Sequence, residues 1–251
     1  MKRLFCIALL AIILLGAVNV SAQTLPKINL SIDNGGEAGG LSTTIQILLL
    51  LTVLALAPSI VVMTTSFIRV VIVLAFLRQA LGTNQMPPSQ LLMGMSLILT
   101  IFVMSPVISN VYDNALLPYM NGEINETQLY EEGSKPVRAF LMKQTREKDL
   151  ALFVKFSGME KPESRDDIPL HVMVPGFIIS ELRTAFQIAF VIFIPFLVID
   201  MVVASVLMSM GMMMLPPILV ALPFKVLLFV LVDGWYLVIK SLLESFVAAG
   251  G

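Results

Sequence analysis

Long runs of apolar residues, each interrupted by proline, restrict this chain more than any other feature of its sequence. One run covers residues 45–63 and contains Pro58; a second covers residues 91–111 and contains Pro106. From Phe186 the chain is apolar almost to its end, with Pro195, the pair Pro216-Pro217 and Pro223 along the way. Such runs can span a bilayer, whose ~30 Å hydrocarbon layer takes about 20 helical residues. With 57% hydrophobic and only 13% charged residues, the chain has too little polar surface to clothe a water-soluble fold. Lipid, or many partner subunits, must act as its solvent. A net charge of −1 gives no reason to expect nucleic acid as a partner.

The prolines add a second restriction. Proline removes a backbone donor and is expected to kink or break these helices, and freed backbone groups at membrane depth are tolerated only against protein or a water-filled cavity. The expected fold is therefore an all-α membrane protein of about four kinked apolar helices in two hairpins, with a mostly helical polar domain between them. Kinked hairpins with unsatisfied carbonyls cannot stand alone in lipid, so an obligate oligomer is expected.

The chain divides accordingly. Residues 1–22 read as a cleaved signal peptide: Lys2 and Arg3 open it, an apolar run follows from Leu4, and Val20-Ser21-Ala22 supplies a small-residue site that places cleavage between Ala22 and Gln23. The one cysteine, Cys6, falls inside that segment, so the mature chain would carry no thiol. Residues 23–44 form a polar tail and residues 45–111 the first apolar hairpin, with Arg69 and Arg78 in its connecting segment. Residues 112–185 hold twelve acids and nine bases and form the hydrophilic domain. Within it a helix is expected to start at Ser134-Lys135-Pro136 and stop at Gly158, with Arg138, Met142 and Arg146 on its solvated face. Residues 186–251 form the second hairpin, turning between 209 and 217, with Trp235 and Tyr236 where an interfacial aromatic belt belongs. The basic connecting segment belongs in the cytoplasm and the acidic domain outside it, which puts the hydrophilic domain in the periplasm of a bacterial inner-membrane protein.

No catalytic, cofactor-binding or metal site is expected. There is no glycine-rich phosphate loop and no Cys or His pair at metal spacing; the one histidine, His171, reads as structural. Ser180-Glu181 has no local histidine base and is not a nucleophile elbow. Three ionisable groups inside the last apolar region stand out instead: Asp200, Lys225 and Asp233. A charge at mid-bilayer costs at least ~2.5–3.5 kcal/mol, so these groups should pair, across hairpins or between subunits, and hold the assembly together. Five methionines in seven positions, Met208, Met210, Met212, Met213 and Met214, mark the tip of the second hairpin. Their flexible, unbranched side chains suit a deformable pore gasket.

Two ordered stretches resemble a known family. Pro175-Gly176-Phe177-Ile178-Ile179-Ser180-Glu181-Leu182-Arg183-Thr184-Ala185-Phe186-Gln187-Ile188 and Pro195-Phe196-Leu197-Val198-Ile199-Asp200-Met201 are similar to the signature stretches of the FliP family of type III export-gate proteins. Thr65-Ser66-Phe67-Ile68-Arg69 and Leu77-Arg78-Gln79-Ala80-Leu81-Gly82-Thr83 resemble the same family's first hairpin, and Gly176 stands where alanine is expected. The resemblance covers roughly residues 45–245. It implies several copies assembling with FliQ and FliR, beside other export-apparatus membrane proteins, into a helical gate at the flagellar basal body. Unfolded flagellar subunits would pass through its centre, with the methionine stretch as its gasket. It also implies that the apolar hairpins sit partly above the membrane plane. Two alternatives stay open: the injectisome paralogue, and a small proton-coupled secondary transporter working through Asp200 and Lys225.

Overall fold

The computed structural model describes residues 43–83, 86–159, 162, 164, 167–212 and 214–248; the expected signal peptide, the Ala22-Gln23 cleavage site, nearly all of the N-terminal tail and Met213 lie outside them. Regular structure among the described residues is helical. The chain divides into two units, Met1–Ala55 and Leu56–Gly251. The described part of the first unit is the N-terminal portion of α1 (Thr43–Met63), a leucine-rich helix apolar on every face and long enough to cross a membrane.

The second unit is built around α2 (Phe67–Leu81), which is a helix and not the connecting loop that its position between two longer runs suggested. Phe67, Val70, Val73, Leu74, Leu77 and Leu81 recur at three- and four-residue spacing and are all buried, so this helix is clothed by the others. Gly82, in the left-handed conformation at φ 67°, ends it. α3 (Ser89–Val111) does not stop where the composition changes at 112. It runs through a π-helical turn, Tyr112–Leu116, into a last turn, Leu117–Met120. Its buried stripe, Leu92, Ser96, Thr100 and Met104, repeats every four residues, and the Ser96 and Thr100 hydroxyls each donate to the carbonyl four residues back at 2.7 Å.

α4 (Glu126–Gln144) starts at Asn125 rather than at Ser134. Asn125 and Gln128 satisfy each other's backbone N–H groups at 2.9 and 3.0 Å, a capping box that outweighs the pull of Pro136, now inside the helix. The expected solvated face is also corrected. Met142 packs on a core, the Arg138 guanidinium donates to the Ile168 carbonyl, and Arg146 donates to Gln187 Oε1 at 2.7 Å. α5 (Glu147–Phe156) has acids in its first turn and Lys155 in its last, matching the helix dipole.

α6 (Leu170–Ser209) crosses the expected boundary at residue 185 without a break. Its 40 residues would measure about 60 Å, twice the hydrocarbon layer. Pro58, Pro106, Pro195 and Pro223, expected to kink or break their helices, lie inside continuous ones, as does Pro175, so none of them ends a helix; Pro216-Pro217 do stand at a helix end, the start of Pro217–Leu231. α7 (Pro217–Leu231) and α8 (Gly234–Ala248) meet at a bend of 64°. Among the described residues, three helices are long and apolar enough to cross a membrane, or four if α7 and α8 count as one bent span.

Two cores result. One surrounds α2 with Leu92, Ala185, Phe196, Phe229, Val238 and Leu242; the other gathers Met104, Phe140, Leu141, Leu150, Met173 and Phe177 from α3, α4, α5 and the start of α6. α6 serves both. α5 passes close to Gly176 of α6, yet an added Cβ there would lie 3.4 Å from Leu150 Cα, so the approach does not require glycine. At Gly234 an added Cβ would sit 2.2 Å from the Phe229 ring. Gly234→Ala should therefore cost about 1–3 kcal/mol through overpacking, whereas Gly176→Ala should be neutral or stabilising by up to ~1 kcal/mol through helix propensity. Thermal unfolding of the purified protein in detergent checks both, and an unchanged midpoint for Gly234→Ala would show that the ring does not hold the bend.

Candidate functional site: buried ion pairs and a methionine loop

Where the two cores meet, α2 delivers Arg69 and α6 delivers Glu181, and both are fully buried, at 1% and 0% exposure. Arg69 Nε donates to Glu181 Oε2 at 2.9 Å and its Nη2 to Glu181 Oε1, a two-pronged grip suited to the planar guanidinium. Nη1 donates to Ser245 Oγ of α8 and Nη2 to Gln144 Oε1 of α4, both at 2.9 Å. The Phe246 ring covers the guanidinium carbon at 3.9 Å from its centroid, and Gln144 Nε2 donates to the Phe246 carbonyl at 3.0 Å. One cation thus ties four helices together. Sequence reasoning passed over this pair by counting Arg69 as a topology signal. The available clue was the one applied to Asp200 and Lys225: a lone charge inside an apolar run, here Ile68-Arg69-Val70 and Ile179-Ser180-Glu181-Leu182.

The neighbouring Ser180 is structural. Its hydroxyl donates to Asp149 Oδ2 at 2.8 Å and accepts from the Arg146 backbone N–H at 3.1 Å, fixing the start of α5 against α6. His171 lies exposed on the first turn of α6.

The structure brings two of the three flagged charges together. Lys225 Nζ donates to Asp200 Oδ2 at 2.7 Å and to the Ala80 carbonyl at 3.2 Å. The contact joins the two limbs of one hairpin, α6 and α7, within a single chain, and places a cation at the C-terminal end of α2, where the helix dipole favours it. Lys225 is buried, and Asp200 Oδ1 is buried with no hydrogen-bond partner among the described residues. Asp233 is elsewhere. It is exposed in the bend between α7 and α8 at φ 52°, a left-handed conformation that Asp tolerates better than most residues, and its carbonyl accepts from Leu237 N at 3.1 Å.

The methionine loop has a defined frame. Gly211, at φ 74°, donates to the Met208 carbonyl at 3.1 Å, and Met212 N donates to the Leu207 carbonyl at 3.0 Å, which closes α6 with a Schellman motif. Pro217 opens α7 at a position where its missing N–H costs nothing. Around this turn Met208, Met210, Met212 and Met214 are exposed, Met214 almost completely at 99%.

Removing one member of the Arg69–Glu181 pair leaves the other charged and buried, so Arg69→Met should lose about 3–5 kcal/mol of stability. The double variant Arg69→Met with Glu181→Leu should recover most of that loss. Chemical unfolding in detergent measures both; a double variant no more stable than Arg69→Met would rule out the stranded carboxylate as the cause.

Comparison with known proteins follows the same residues. The model of the FliP family matches residues 50–242. The chain is similar to the flagellar biosynthetic protein FliP of Bacillus subtilis, 56% identical over 217 residues that make up 86% of this chain and 98% of the relative. The FliP of Pectobacterium carotovorum is 50% identical over 92% of this chain and 88% of its own length, and that of Caulobacter vibrioides 47% identical over 100% and 94%.

Proposed function

The chain belongs to the FliP family, and from that premise we propose that it is a channel-forming subunit of the flagellar type III protein export gate in the bacterial inner membrane. Several copies, together with FliQ and FliR, close around a shared path for unfolded flagellar subunits. The signal peptide is cleaved after Ala22, the polar domain faces the periplasm, and other export-apparatus proteins surround the gate.

The observation that carries this reading is the methionine loop. Four exposed thioether side chains stand at the tip of a hairpin whose two ends are fixed by a Schellman motif and a proline pair. A soft, apolar collar on a rigid support can seal against ions and still deform around a passing polypeptide. A second observation supports assembly. α6 is about twice as long as the hydrocarbon layer is thick, and Phe190, Val191, Met201 and Val206 along it are exposed, so lipid alone cannot cover it. The relatives named above all carry the flagellar name, which favours the flagellar over the injectisome branch.

A strain lacking this chain should be non-motile and without flagella, and a plasmid copy should restore both; filaments of normal length in the deletion strain, seen by electron microscopy, would refute the flagellar role. Replacing Met208, Met210, Met212, Met213 and Met214 by alanine should leave assembly intact but raise the resting ion conductance of the purified complex in planar bilayers. Conductance equal to the parent would count against the gasket.

A further inference from the structure

Between α3, α4 and α8 lies an open groove of about 520 Å³, inside the ~300–1,000 Å³ range of small-ligand sites. Phe102, Val103, Phe246 and Val247 make its apolar wall, and Lys143 is its charged group. No Asp or Glu lines it. The other polar groups are already engaged: Gln144 is held by Arg69 and the Phe246 carbonyl, and Asn110 Nδ2 donates to the Pro106 carbonyl at 2.8 Å. Lys143 has no hydrogen bond or ion pair among the described residues.

We propose that this groove binds an anionic phospholipid, with the phosphate against the Lys143 ammonium and an acyl chain along Phe102, Val103 and Phe246. The charge pattern selects the ligand. A free ammonium at the edge of an apolar trough is matched by a molecule that is an anion at one end and hydrocarbon at the other. Supply is also local, because the α3 residues of the groove belong to Ser89–Met120, one of the helices long and apolar enough to cross a membrane.

The test is native mass spectrometry of the full-length protein equilibrated with equal amounts of phosphatidylglycerol and phosphatidylethanolamine. The parent should retain phosphatidylglycerol about fivefold more than phosphatidylethanolamine, the preference one lysine can supply. Lys143→Gln should abolish that preference and Lys143→Arg should keep it. Ala139→Trp, which fills the groove from an exposed position, should reduce retention of both lipids. Equal retention of the two lipids by the parent, or an unchanged ratio in Lys143→Gln, overturns the proposal. So does efficient disulfide formation between copies through Lys143→Cys in native membranes, which would give the groove to a second chain.

Discussion

A guanidinium and a carboxylate taken out of water lose several kcal/mol of hydration each, and the fold recovers that loss only if every prong of both groups finds a partner. Arg69 comes close to this demand: four of its five N–H groups donate to Glu181, Gln144 and Ser245, and the Phe246 ring lies over the guanidinium. Those partners come from α6, α4 and α8, so satisfying one buried cation dictates how three helices sit around α2. The second pair repeats the device at the other end of α2, where Lys225 holds Asp200 and the Ala80 carbonyl together. α2 is thus clamped near both ends onto α6, and the apolar packing between the clamps has little freedom to slide. Hydrophobic contacts alone are non-directional and would permit such sliding.

Much of this was open to sequence reasoning. The helical class, the apolar helices, the turn before Pro217 and the methionine tip all follow from composition and from the position of Pro216-Pro217, because at that site two adjacent prolines leave no route for helix continuation. The pairing of Asp200 with Lys225 follows from the cost of isolated charge, although not the fact that one chain suffices to make it. The errors have a common origin in trusting local signals. Pro106 and Pro195 read as kinks or breaks and Pro136 as a helix start, yet a helix packed on several sides can lose one backbone bond and continue. Arg69 read as a loop charge because its run is short and sits between longer ones. Its role depends on residues 75 or more positions away, which no local pattern reports.

The composition changes at residues 112 and 185 mislead in another way. They record which surfaces meet water, whereas helix continuity is a matter of successive backbone hydrogen bonds. α3 and α6 pass straight through both boundaries. The polar segment is therefore not a bead threaded between two membrane hairpins. It is packed onto the extended ends of those same helices, with Met104 of α3 and Phe177 of α6 inside its core. Rods that continue from one core into the other give any assembly built from them a stiff wall, and the methionine loop sits at the far end of one such rod.

The order in which these parts are made differs from the order in which they are needed. Arg69 is synthesised before Glu181, and both before Ser245 and Phe246 of α8, which is aimed by the bend that Gly234 permits beneath Phe229. Until α8 docks, the guanidinium has no aromatic roof and lacks its Ser245 acceptor. The central knot of the molecule can tighten only once α8 has docked, which makes that helix the latch of the fold.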